Sequence, residues 1–171
     1  MTKFLVVGCL IGGLIIFGWG AISHTVLMLP GSLDEFMDKQ AVLDAVRAQT
    51  PGNGMYLDTR GVLVALSLRP DAADRTQEMG GRLVLEYVTN VLEALLLCLL
   101  LLRSRAAGAF DSARFTGIAG IAAWLGLQVS YWNWYGFATP FVVQSLMDIA
   151  IGWFLAGLLL GRLRNKWVAA V

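Results

Sequence analysis

Four runs of apolar residues constrain this chain more than any motif in it: Phe4 to Leu29, Leu83 to Leu102, Phe115 to about Tyr135, and Phe141 to Leu160. A hydrocarbon layer about 30 Å thick takes about 20 consecutive apolar residues to cross as a helix, and each run meets that length. Few ionisable groups interrupt them. Of the 171 residues, 57% are hydrophobic and 15% charged, against about 25% charged in an ordinary soluble domain. The pattern predicts an all-α membrane protein, a four-transmembrane-helix bundle with helices at about 4–29, 83–102, 115–135 and 141–160. A small mixed α/β extracytoplasmic cap is expected between the first two helices, at residues 31–82, within a single membrane domain.

Basic residues set the expected orientation. Lys3 precedes the first run, Arg103, Arg105 and Arg114 lie between the second and third, and Arg162, Arg164 and Lys166 follow the fourth. By the positive-inside rule all three groups, and both termini, are cytoplasmic. The segment from Gly31 to Arg82 is then outside, with eight acidic and six basic residues. "YWNWY", Tyr131 to Tyr135, reads as an aromatic belt at the outer interface. Lys3 and the apolar stretch after it also fit a signal peptide, but the run is longer than a usual h-region, which favours an uncleaved helix. Net charge of +1, with no basic tail, gives no case for nucleic acid.

The outer segment carries local signals. Ser32 with Glu35 three residues later has the form of a capping box, and Leu33, Phe36, Met37, Leu43 and Val46 recur at helical spacing. "TPGNG", Thr50 to Gly54, should end that helix. Met55 to Leu57 and Val62 to Leu68 read as two strands joined by a turn at Asp58 to Gly61. "RPDAADRTQEMGG" reads as one or two polar helical turns closed by Gly80 and Gly81. So short a segment without disulfides rarely holds a core of its own, so its stripe is expected to cover the outer mouth of the bundle or a partner. Cys9 and Cys98 read as buried packing residues.

Small residues recur at four-residue spacing within the runs: Gly8 and Gly12, Ala122 and Gly126, Gly152 and Ala156, Gly157 and Gly161. In lipid such pairs let helix backbones approach closely. They predict tight helix packing within the chain or between copies.

The polar residues inside the runs form a second pattern. Glu86, Asn90 and Glu93, at i, i+4 and i+7, fall on one helical face. Gln144 and Asp148 are again four apart, Gln128 lies one turn inside the aromatic belt, and His24, the only histidine, shares its face with Gly13, Gly20 and Ala21. At about 1.5 Å of rise per residue, Asp148 lies roughly 12 Å inward from Pro140 and Glu93 roughly 18 Å from Gly81. His24 lies roughly 8 Å below a helix end at Leu29 by the same rule. An ionised side chain at the middle of a span costs about 2.5 to 3.5 kcal/mol on insertion scales. Glu93 and Asp148 therefore stay protonated, pair with a charged His24, or meet a cation or amine ligand. Asn90, Gln128 and Gln144 also suit plain interhelical hydrogen bonding.

No phosphate loop, nucleophile elbow, His-Glu-x-x-His or Cys-x-x-Cys occurs. With one histidine and no second imidazole at i+3 or i+4, no metal and no cofactor are expected. "WGAISHTVLMLPG", the acidic helix after it and "PGNGMY" resemble a group of small bacterial four-helix membrane proteins. That group pairs Trp-Gly and Ser-His near the end of helix one with a Leu-Pro and a later Gly-x-Tyr. The resemblance covers about Trp19 to Tyr56 and implies a bacterial cytoplasmic membrane, with no activity attached. The expected function is a non-enzymatic accessory or interaction subunit, docking a protein partner or a second copy through its small-residue faces and cap. The alternative is an outward-facing polar site around His24, Glu93 and Asp148 for a cation, proton or small polar ligand.

Overall fold

A computed structural model describes residues 1–58, 62–67 and 72–168. The elements run α1 (Thr2–Val26), α2 (Lys39–Gln49), β1 (Gly54–Asp58), β2 (Val62–Leu66), α3 (Ala72–Arg103), α4 (Ala109–Tyr135) and α5 (Thr139–Trp167). They form two compact units: Met1–Ser32 with Arg82–Val171, and Leu33–Gly81.

Among the described residues, three helices are long and apolar enough to cross a membrane: α1, α3 from Glu78 to Arg103, and α5. The fourth expected span, α4, has the length at 27 residues but not the same apolar content. Its tryptophans, tyrosines, glycines, Gln128 and Asn133 dilute the aliphatic residues. By length and hydropathy, three helices rather than the four expected qualify as spans among the described residues.

Several helix ends differ from the sequence reading. α1 stops at Val26, with Leu27 as its C-cap, rather than at Leu29. α3 passes through Gly80 and Gly81 without a break. Neither takes the positive φ that a helix-ending glycine supplies, so two glycines lower local helix propensity without stopping the helix. α4 starts six residues before Phe115, with Asp111 in its first turn facing the positive end of the helix dipole. Arg114 is thus helical, not part of a loop. At the other end of α4, Gly136 at φ 66° makes the left-handed cap that turns the chain into α5.

Packing in the bundle runs through small residues. A Cβ at Gly8 would lie 2.9 Å from Cys98 Sγ, one at Gly12 3.0 Å from Ala94 Cβ, and one at Gly13 2.7 Å from Val91 Cα, so α1 and α3 nearly touch. On α5, Gly152 faces Trp19 of α1, while Gly157 and Gly161 face Ala113 and Ser112 of α4 at 2.8 and 2.7 Å. Ala156 is fully buried. Ala122 and Gly126, expected in a contact, are exposed instead, and a Cβ at Gly126 meets nothing within 4 Å. α4 meets α5 through Gly117 and Gly120, against Phe154 and Ile149, which turns the Ala122–Gly126 face outward. The core at this level is Phe4, Ala94, Leu97, Cys98, Leu101, Ala156 and Leu160, all wholly buried.

One end of the bundle is tied by basic residues. Arg164 of α5 donates to the carbonyl of Leu101 at 2.5 Å, to Ser104 Oγ at 3.3 Å and to the carbonyl of Ala106, tying α5 to the end of α3 and the turn after it. Lys3 Nζ lies 4.9 Å from the centre of the Trp167 ring. The start of α1 and the ends of α3 and α5 therefore meet at what is called here the Lys3 end. The opposite end is the His24 end. Near it, Trp132 donates to Thr139 Oγ1 at 3.1 Å, Tyr131 stacks on Phe137 at 5.3 Å, and Trp134 is 78% exposed.

The capping box expected at Ser32, the last residue of the larger unit's first segment, is not formed. Ser32 Oγ donates to the Leu29 carbonyl at 2.7 Å, which closes the turn after α1. α2 begins at Lys39, with Asp38 as N-cap accepting from the Ala41 amide at 2.9 Å. Leu33, Phe36 and Met37 lie before this helix and are exposed. β1 and β2 form the expected antiparallel hairpin, pairing Gly54 with Leu66 and Asp58 with Val62. Residues 59–61 of its turn, Leu68, and the start of the polar segment after it lie outside the described residues.

Candidate functional site

Toward the His24 end, α1, α3 and α5 separate around a cavity of about 470 Å³, within the range that holds small ligands. Its wall mixes Ile16, Phe17, Leu83 and Ile149 with a set of polar groups: His24 from α1, Glu86, Asn90 and Glu93 from α3, and Asp148 and Trp153 from α5. Gly20 and Ala21 complete the α1 side. A Cβ at Gly20 would meet nothing within 4 Å, so this glycine opens space, in contrast to Gly13. Five of the seven candidate polar residues thus share one cavity. The helical spacing of Glu86, Asn90 and Glu93 accounts for three of them.

Two pairs define the polar chemistry. His24 Nε2 lies 3.3 Å from Asp148 Oδ2, with the imidazole exposed and the carboxylate largely buried. Because α1 ends at Val26, His24 sits about 3 Å from the helix end rather than 8 Å, at the mouth of the cavity. Deeper along α5, the Trp153 indole donates from Nε1 to Glu93 Oε2 at 3.1 Å. Between these pairs, Asn90 is only 5% exposed and lines the cavity. Asp148 Oδ1 is buried without a partner. Buried polar groups are satisfied in the great majority of cases, so the unpartnered Asp148 Oδ1 leaves one acceptor of the site unfilled. Glu86 is exposed near the rim.

The two glutamines lie elsewhere. Gln144 is 3% exposed; its Nε2 donates to Ser23 Oγ and its Oε1 accepts from the Leu29 amide at 3.0 Å. It ties α5 to the end of α1 and does not line the cavity. Gln128 is on α4, which contributes nothing to the wall, since α4 packs on α5 instead. Its buried Oε1 has no partner, and nothing in the structure explains that.

Trp153 is the site residue that sequence reasoning missed. A tryptophan in the middle of an apolar helix, away from the interface where indoles gather, has an N–H that must find an acceptor. That signal was present. Its acceptor on another helix could not be read from spacing. No lysine or arginine lines the cavity. Among the described residues, no three His, Cys, Asp or Glu side chains converge closely enough to hold one metal ion. No protein-family model matches the chain, nor does any curated protein or solved structure.

Proposed function

We propose that the protein is a four-pass membrane protein, with both termini in the cytoplasm, that binds a small cationic ligand in the cavity between α1, α3 and α5. The observation that carries this reading is the meeting of Glu93, Asp148, Asn90 and His24 around one cavity, with no lysine or arginine lining it and His24, beside Asp148, its one basic group. A carboxyl group held away from water takes up a proton or a cationic partner, because the surrounding apolar atoms screen little. Phe17 and Trp153 also line the cavity, and aromatic rings attract cations. α4 serves as the fourth span through its contact with α5, and its exposed Trp134 suits the outer interface. The basic groups near Lys3 and Arg164 suit a cytoplasmic face, which turns the cavity outward; a bacterial cytoplasmic membrane fits the resemblance noted above.

The test is calorimetric titration of the full chain in mild detergent with n-pentylammonium chloride. Binding is expected for the native sequence and should be lost in the Glu93→Gln, Asp148→Asn double variant at unchanged yield and elution volume. Equal binding by both proteins sinks the reading. An accessory-subunit role keeps one favourable observation, the exposed Ala122–Gly126 face of α4. The other small-residue faces are spent on contacts within the chain.

A further inference from the structure

The chain leaves the bundle at a level that aromatic residues mark, and the first residues beyond that point are apolar and bare. After α1, the Leu29 amide donates to Gln144 Oε1 at 3.0 Å, and a Cβ at Gly31 would lie 3.7 Å from Pro140 Cγ. Both contacts are to the first two turns of α5, so residues 29–31 are held at its start. Thr139, next to Pro140, accepts from the Trp132 indole at 3.1 Å. Trp132, Trp134 and Tyr135 are all exposed. Aromatic side chains of this kind at the end of a span gather at the headgroup level, so the turn through Gly31 leaves the bundle at that level.

Leu33 is 73% exposed, Phe36 65% and Met37 entirely. At roughly 3.5 Å per residue at most, Phe36 stands no more than about 14 Å from Ser32, whose hydroxyl is bonded to the Leu29 carbonyl. Two of the acids interleaved with these residues are engaged by the start of α2: Glu35 pairs with Lys39 at 2.7 Å, and Asp38 accepts from the Ala41 amide. Large apolar side chains clustered on a surface mark a binding face, and side chains of this kind at the headgroup level bed into the boundary between headgroups and acyl chains.

We infer that residues 33–37 form a lipid-contacting segment, with Leu33, Phe36 and Met37 entering the interfacial layer of the bilayer at the His24 end. The inference rests on the reading of the helices as membrane spans and is independent of the cation site. Asp34, Glu35 and Asp38 stand against Lys39 alone in this stretch, so attraction to anionic headgroups does not drive the contact. Apolar area does, and neutral lipid suffices.

The experiment is photolabelling of the native full chain in phosphatidylcholine nanodiscs, using a phosphatidylcholine that carries an aryl diazirine near the glycerol end of one acyl chain, followed by peptide mapping. α3, where Leu85 and Leu96 are exposed, serves as the lipid reference, and α2 as the water reference. Label is expected on residues 33–37 and on α3, with α2 at background. Label confined to the spans overturns the inference and leaves the membrane reading standing; this is also the result if a second copy or another protein covers the segment. Absence of label on α3 as well overturns both. Adding phosphatidylglycerol should leave the pattern unchanged, and label on 33–37 that requires the anionic lipid overturns the inference. Phe36→Asp with Met37→Asp, at two exposed positions, should lose the label on the segment while α3 keeps its own; label persisting there overturns the inference too. The native-chain arms need no variant, so a substitution that fails to fold does not blunt the test.

Discussion

The Lys3 end and the His24 end of the bundle are built from the same three helices, and they do opposite things with small residues. Toward the Lys3 end, Gly8, Gly12 and Gly13 on α1 are met at about van der Waals distance or closer by Cys98, Ala94 and Val91, and the core residues around them are wholly buried. About one and a half to two turns beyond Gly13 on α1, Gly18 and Gly20 meet nothing within 4 Å. The partners explain the difference. Where α3 presents Val91, Ala94 and Cys98, the helices close. Where it presents Glu86, Asn90 and Glu93, and α5 presents Asp148, the polar groups stand around a cavity. In lipid no hydrophobic drive squeezes such a space shut, because hydrocarbon is as good a neighbour as another side chain.

That contrast can be broken first at Gly13. Its Cβ would run into the backbone of Val91, which cannot swing away as a side chain tip can. Gly13→Leu is expected to cost about 3 kcal/mol, the upper part of the overpacking range, and should prevent recovery of a monodisperse protein by size exclusion. Leu160→Ala should follow. Leu160 is fully buried against Gly8 and Gly12, but lipid is as apolar as the side chain removed, so the void dominates and about 2 kcal/mol is expected. Denaturation in a detergent-to-SDS titration measures it. Gln144→Leu removes two hydrogen bonds to the end of α1; interhelical bonds in membranes average about 0.6 kcal/mol and reach about 1.7, so a loss between those values is expected in the same assay. Gly20→Leu should be the mildest, close to neutral in stability because its side chain enters open space. It should nevertheless abolish amine binding by filling the cavity. A Gly20→Leu protein as unstable as Gly13→Leu would show that the two ends do not differ as described.

The glycine pattern shows how far sequence reading goes here. Gly8, Gly12, Gly152 and Gly157 were legible as close contacts from their spacing, yet the same spacing at Ala122 and Gly126 marks an exposed face. Periodicity names a face of a helix; it does not say what stands opposite. The polar residues divide likewise. Glu86, Asn90 and Glu93 belong together by geometry of one helix alone. Gln144, only four residues from Asp148, turns to Ser23 and Leu29 instead of the cavity. Capping fails for a related reason: Ser32 fits the box in sequence, but the Leu29 carbonyl claims its hydroxyl, and Asp38 takes the role six residues later.

By itself, the sequence determined the helical class, the apolar spans of α1, α3 and α5, the hairpin between them, and the shared face on α3. Those follow from local periodicity and length, which need no partner to be defined. Only the tertiary structure decided that His24 meets Asp148, that Trp153 holds Glu93, and that Gly20 opens a space while Gly13 closes one. Each of those depends on which residue of a second helix arrives opposite, at a separation set by side chains many positions away in the chain.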